Sequence, residues 1–160
     1  MDLLELHVDG PVVSARPIPA RLSTVPLPDA TPRPVERTFR FESMMMRHSI
    51  NGRAFDLERV DVRVPLGRTE RWSFVNDAEV PHPVHLHATH FQVLARAGSR
   101  TTIEPWERGL KDTVRGLPGE LVDVLVRFER NRGLFLLHCH NLEHEDAGMM
   151  ANVEVVAGSG

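Results

Sequence analysis

The chain has 160 residues, 41% hydrophobic and 26% charged, with a formal net charge of -3. That suits one domain with or without a tail, able to hide roughly 70% of its unfolded surface, and it excludes a disordered chain. It also lacks the basic face that nucleic-acid phosphates need, and no apolar run approaches the roughly 20 residues of a membrane-spanning helix.

The opening MDLLELHVDG holds no basic segment followed by an apolar block, so no export signal is expected within it. Seven of the 12 prolines fall in residues 1–35. Each fixes φ and removes a backbone donor, so this stretch reads as an extended arm or linker after a short strand-like piece at 3–8. Leu22, Val25 and Leu27 are the apolar residues by which such an arm would pack. The domain proper is expected over 36–160. Period-two alternation predicts strands at 35–41, 60–64 and 72–75, and apolar runs extend the pattern to 91–97, 121–128, 134–139 and 149–156. Turns are expected at Asn51-Gly52, Pro65-Leu66-Gly67, Pro118-Gly119 and Asn131-Arg132-Gly133. Only 141–147 reads as helical. The fold class is therefore all-β, a sandwich or barrel with Greek-key connections. Met44, Met45 and Met46 read as strand core and edge rather than a metal-handling cluster. Trp72 and Trp106 read as core or interface, and the charges of 120–130 as the wet side of a strand. His7 and His48 carry no signal of their own, and His90 reads as a surface group or an outer partner of a site.

The chemistry concentrates in two blocks. The first holds His82, His85 and His87; the second holds His138, Cys139, His140, His144 and Met149. Residues two apart in a strand share a face. His85 and His87 therefore share one face, with Pro83 breaking the strand ahead of them so that His82 aims elsewhere. His138 and His140 likewise share a face, and Cys139 points the other way. Two sites back to back follow, joined through the Cys139 backbone. Cys139, His82, His144 and Met149 give two imidazoles, a thiolate and a thioether, the ligand set of a blue-copper electron-transfer centre. His85, His87, His138 and His140 give four imidazoles and no carboxylate, a set that suits copper better than magnesium or calcium. Cys139 is the single cysteine, which rules out an intramolecular disulfide.

HPVHLHATHFQVL and HCHNLEHEDAGMM resemble the C-terminal copper motifs of the multicopper oxidases, in the style of bacterial laccases, cuprous oxidases and bilirubin oxidases. INGRAFD, VPLGRTERWSF and KDTV with PGE resemble the third cupredoxin domain of that family. The resemblance covers about 36–156 and implies a cupredoxin-type Greek-key β-sandwich. It matches His82, Cys139, His144 and Met149 to type 1 copper ligands, His85 to a type 2 ligand, and His87, His138 and His140 to type 3 ligands. It matches Glu145 to an acid that supplies protons during oxygen reduction; a solvated charge beside Asp146 is the other reading. The family's trinuclear cluster takes eight histidines, four of them from an N-terminal domain, and this chain offers the other half. The expected partners are that N-terminal cupredoxin domain or further copies of this chain, a small reducing substrate (phenol, amine or metal ion) and O2, with no nucleic acid and no membrane. The resemblance places such a protein in the periplasm, outside the cell or on a spore.

Three other readings stand beside this one. An oligomer could assemble copper sites between copies. A simple blue-copper carrier would leave His85, His87, His138 and His140 idle. A zinc hydrolase could use His85, His87 and His90, but Thr89 stands where its HxHxDH pattern needs Asp, and the required helices are absent from the pattern.

Overall fold

The computed structural model describes residues 4–5, 7–11, 14–20, 24, 34–45 and 47–158. Its strands are β1 (Arg37–Met44), β2 (Arg47–Ile50), β3 (Val62–Pro65), β4 (Thr69–Asn76), β5 (His82–Leu86), β6 (Phe91–Gly98), β7 (Leu110–Lys111), β8 (Thr113–Gly116), β9 (Glu120–Arg127), β10 (Gly133–Cys139) and β11 (Met150–Val156). They form a six-stranded sheet in the order β2-β1-β4-β9-β6-β7 and a five-stranded sheet in the order β3-β11-β10-β5-β8. The β1/β4 and β3/β11 pairs are parallel, and the others are antiparallel. A parallel neighbour cannot be reached by a hairpin, so the chain crosses between sheets, as the Greek-key expectation requires. One 3-10 turn (Pro105–Glu107) and one helix, α1 (Leu142–Asp146), complete the described structure.

The core lies between the sheets. Phe39, Trp72, Phe74, Phe91 and Phe128 from the six-stranded side and its loops meet Val84, Leu86, Leu137 and Val153 from the other. Trp72 is fully buried, and its indole N–H donates to Glu70 Oε2 at 2.8 Å. Arg37 in turn pairs with Glu70 at 2.6 Å, so the polar tip carried inward by the indole is satisfied. Burying side chains of this size contributes roughly 1.5–3 kcal/mol each.

The strands expected from residue 35 onward are present with ends shifted by up to a few residues, and the one helix, Leu142–Asp146, falls within the 141–147 read as helical. Asn51 and Gly52 both have positive φ (54° and 72°), the pattern of a tight hairpin turn. Several expectations need correction. Residues 4, 5, 7 and 8 belong to no strand, while Leu22, Val25, Leu27 and most of the proline segment lie outside the described residues. Pro83 does not break β5. It sits inside the strand opposite Arg115, and its carbonyl accepts from His140 N–H at 2.6 Å. Met44 and Met45 are 78% and 96% exposed at the tip of the β1–β2 hairpin, not core; Met46 lies outside the described residues. Trp106 is 67% exposed. Strand β9 is not wet along its acidic positions. Glu120 and Asp123 are buried, the first against Arg96 and Arg100, the second against Arg71 and Ser73. β2, β7 and β8 were not legible, being short and flanked by residues of low β preference.

Candidate metal centre

Strands β5 and β10 are neighbours in the five-stranded sheet, with His138 opposite His85 and Cys139 opposite Val84. Alternation then sorts the side chains. His82, Val84 and Leu86 of β5 and Leu137 and Cys139 of β10 all point into the core and are buried. His85 and His138 point to the other face, and His87 and His140 follow beyond the strand ends. His82 faces away from His85 because it stands an odd number of residues before it, not because of Pro83.

On the core face, His82 Nδ1 lies 3.3 Å from Cys139 Sγ and 3.1 Å from His144 Nδ1, and His144 Nδ1 lies 3.7 Å from the sulfur. The three donor atoms fall within 4.8 Å of one another. The loop that returns His144 is built locally. The Asn141 side chain accepts from Glu143 N–H and caps α1, while the Asn141 N–H points at Cys139 Sγ at 3.4 Å. The Met149 N–H donates to the His144 carbonyl at 2.9 Å, and the Met149 carbonyl accepts from Cys139 N–H at 3.1 Å. Met149 is thus tied by its own peptide to both neighbours, and its side chain is fully buried. Gly148, at φ +95°, lets the loop lie against Phe55, whose N–H donates to the Gly148 carbonyl at 2.9 Å; a Cβ there would stand 3.2 Å from Phe55 N.

Burial pushes the Cys139 thiol up to about 11, so in neutral water it keeps its proton until a metal displaces it. Burial, helped by His144 and His48, pushes His82 down to about 4 and leaves the ring neutral and able to donate a lone pair. His144 is held down in the same way, first by burial and then by His48.

On the other face, His85, His87 and His138 bring ring nitrogens within 4.8 Å of one another. His87 Nε2 and His138 Nε2 lie 3.0 Å apart. His140, exposed, stands with ring centroids 5.4 Å from both His85 and His138. Carbonyls can only accept, so His138 Nδ1–H donates to the Cys139 carbonyl (3.1 Å) and His85 Nδ1–H to the Asp112 carbonyl (3.0 Å). Both rings therefore keep an unprotonated Nε2, the tautomer fixing typical of metal-ligating histidine. Glu145 Oε2 reaches His138 Nδ1 at 3.3 Å and is 30% exposed on its other side. Burial and the neighbouring imidazoles hold His87 below the ordinary range, and burial is also the chief cause for His138. A groove of about 830 Å3 runs beside His85, His87 and His90 toward Arg127 and Asn131. The His90 side chain is exposed there.

Both donor sets suit a transition metal of intermediate softness: a thiolate with imidazoles on one face, imidazoles alone on the other. The multicopper oxidase family model matches residues 26–159. The chain belongs to the multicopper oxidase family. A laccase of Haloferax volcanii is 39% identical over 93% of this chain and 28% of its own length. A bilirubin oxidase of Albifimbria verrucaria is 40% identical over 84% of this chain and 24% of its own length. The multi-copper oxidase of Pediococcus acidilactici superposes with a TM-score of 0.80 at 31% identity, covering 90% of this chain and 31% of that one. The McoA multicopper oxidase of Aquifex aeolicus gives 0.78 at 33% identity, over 89% and 34%. This multicopper oxidase domain therefore has the cupredoxin-type sandwich of that family, and it spans about a third or less of these four relatives.

One residue with a part in the geometry carried no signal in the sequence. His48 stacks on His144 at a centroid distance of 4.2 Å. It lies far from both histidine blocks along the chain, and only the packing of the β1–β2 hairpin against the site of the other sheet brings it to them.

Proposed function

We propose that this chain is the electron-accepting domain of a laccase-like multicopper oxidase. His82, Cys139, His144 and Met149 would hold a type 1 copper. His85 would hold a type 2 copper, and His87, His138 and His140 type 3 coppers, as half the ligands of a trinuclear cluster. The other half would come from an N-terminal cupredoxin domain or from further copies of this chain. When bound, copper supplies one-electron oxidation of a small reducing substrate at the first site and reduction of O2 to water at the second.

The observation that carries this reading is the split of one tripeptide between two faces. Cys139 turns its sulfur to His82 and His144 at 3.3 and 3.7 Å, while His138, bonded to it, turns Nε2 to His87 at 3.0 Å. The chain's own part follows from that. The covalent link between the sites is one peptide unit on either side of Cys139, and the His138 ring closes a second, hydrogen-bonded link onto the Cys139 carbonyl. The sandwich holds the ligands rigidly, which limits rearrangement when a bound ion changes charge. Glu145 would carry a proton at Oε2 between solvent and the His138 side. The groove beside His85 and His87 and the exposed His140 favour a cluster finished by another domain, and leave less room for a simple carrier, in which these four rings would have no task.

Titrating the metal-free chain with copper tests the proposal. One tightly held equivalent per chain should give intense thiolate-to-copper absorption, and His85→Ala with His87→Ala should leave that equivalent intact while weakening any further uptake. Loss of the coloured equivalent in the double variant, or no coloured equivalent at all, would contradict it. Molar mass measured on the same samples separates completion by self-association from completion by another domain.

A further inference from the structure

The β1–β2 hairpin belongs to the six-stranded sheet, yet it reaches the site that the five-stranded sheet builds. Ser43 and His48 face each other across the hairpin in register, and Ser43 Oγ lies 2.9 Å from His48 Nδ1. The His48 ring then stacks on His144, centroid to centroid at 4.2 Å with planes 20° apart. Ser43 Oγ also lies 3.4 Å from His82 Nε2. One cross-strand pair thus touches both imidazoles of the mononuclear site, at Nε2 of His82 and across the ring face of His144.

With Nδ1 of His82 given to a metal, Nε2 carries the N–H and donates to Ser43 Oγ. The Ser43 hydroxyl has one proton to give and two lone pairs to accept with, so it can serve His82 Nε2 and His48 Nδ1 together.

We propose that Ser43 and His48 are positioning residues for the mononuclear centre: the hydroxyl fixes the His82 ring and the stacked imidazole fixes the plane of His144. The proposal rests on the type 1 reading above. Met149 and the loop 140–149 fix where His144 sits along the chain; His48 fixes how its ring is turned, and the second sheet thereby sets the geometry of a site on the first. Hydrogen-bonded partners one step out from a metal typically change affinity by about 10–100-fold when removed.

The test uses the full chain and copper alone, with a competing chelator to measure affinity, and compares His48→Ala, His48→Phe, Ser43→Ala and Arg47→Ala. Metal-free melting curves show which variants fold. His48→Ala should bind copper at least about tenfold more weakly, with the thiolate-to-copper band and the reduction potential displaced from those of the wild type. His48→Phe keeps a flat ring on His144 and should recover part of the loss even if His48→Ala folds poorly. Ser43→Ala should shift the band and potential with the stack intact. Arg47→Ala, an exposed neighbour on the same hairpin, should match the wild type. The proposal is overturned if His48→Ala and Ser43→Ala bind within about twofold of the wild type with unmoved band and potential, or if Arg47→Ala loses as much. A wild-type chain that shows no band overturns the type 1 reading itself, which is a different result from coloured variants indistinguishable from a coloured parent.

Discussion

Cys139→Ser will abolish the intense visible absorption of the copper-loaded chain, while the metal-free domain still folds. The sulfur is the atom on which His82 and His144 converge, at 3.3 and 3.7 Å. A serine oxygen is a poor substitute because soft thiolate donors select the cuprous as well as the cupric ion. The drop in affinity should exceed the about 10–100-fold typical of losing an outer partner. The fold should suffer far less. A hydroxyl at this fully buried position costs about 1–3 kcal/mol when it lacks a partner, and Asn141 N–H is already aimed at the site. Absorption spectra and denaturant melts of the metal-free and loaded protein check both halves. A variant that stays blue would contradict the account, as would one that is colourless only because it is unfolded.

Arg96→Met will destabilise the domain by about 3–5 kcal/mol, the cost of stranding buried charges, a fall in melting temperature on the order of 10 °C. The Arg96 side chain is fully buried, with Glu107 and Glu120 on it and Arg100 reaching Glu120 at 2.9 Å. The network pins the segment between β6 and β9, including the turn Pro105–Glu107. Burial alone would push the Glu107 carboxyl up, but the Glu104 N–H and Arg96 outweigh it and hold it below the ordinary value. Burial likewise works against Glu120, and Arg100, the Leu117 N–H and Arg96 prevail. A carboxylate whose folded value lies below its unfolded value stabilises fully above the unfolded value of about 4.5 and loses that contribution as the pH falls through the folded one. The wild type should therefore lose stability steeply below about pH 4.5, and Arg96→Met less steeply, because less of the shift remains. Denaturant unfolding across that range measures both. A loss under about 1 kcal/mol at neutral pH, or an unchanged acid slope, would contradict this.

The same network shows where the sequence stops being legible. Glu120 and Asp123 lie among alternating charges that read as a solvated strand face, and only the pairing of β9 with β6 and β4 brings arginines to them. Nothing local to residues 120–130 announces that. The metal-ligating blocks were legible because their information is local: residue parity within β5 and β10 fixes which side chains share a face, and the ten residues from His140 to Met149 close on Cys139 through short-range hydrogen bonds. Pro83 misled because a proline inside a central strand is uncommon; here its neighbour His140 supplies the donor that its carbonyl needs. Met44 and Met45 misled because apolar residues next to a strand read as core, whereas they stand 78% and 96% exposed at a hairpin tip. His48 was silent because a lone histidine says nothing until a cross-strand partner and a stacked ring are known.

X-ray absorption at the copper edge of the chain carrying one equivalent of copper tests the central claim most directly. One short sulfur neighbour and two nitrogens are expected around the ion, lost in Cys139→Ser and retained when His85 and His87 are both alanine. A coordination shell of nitrogen alone, unaffected by Cys139→Ser, would mean that the sulfur turned toward His82 and His144 serves no metal.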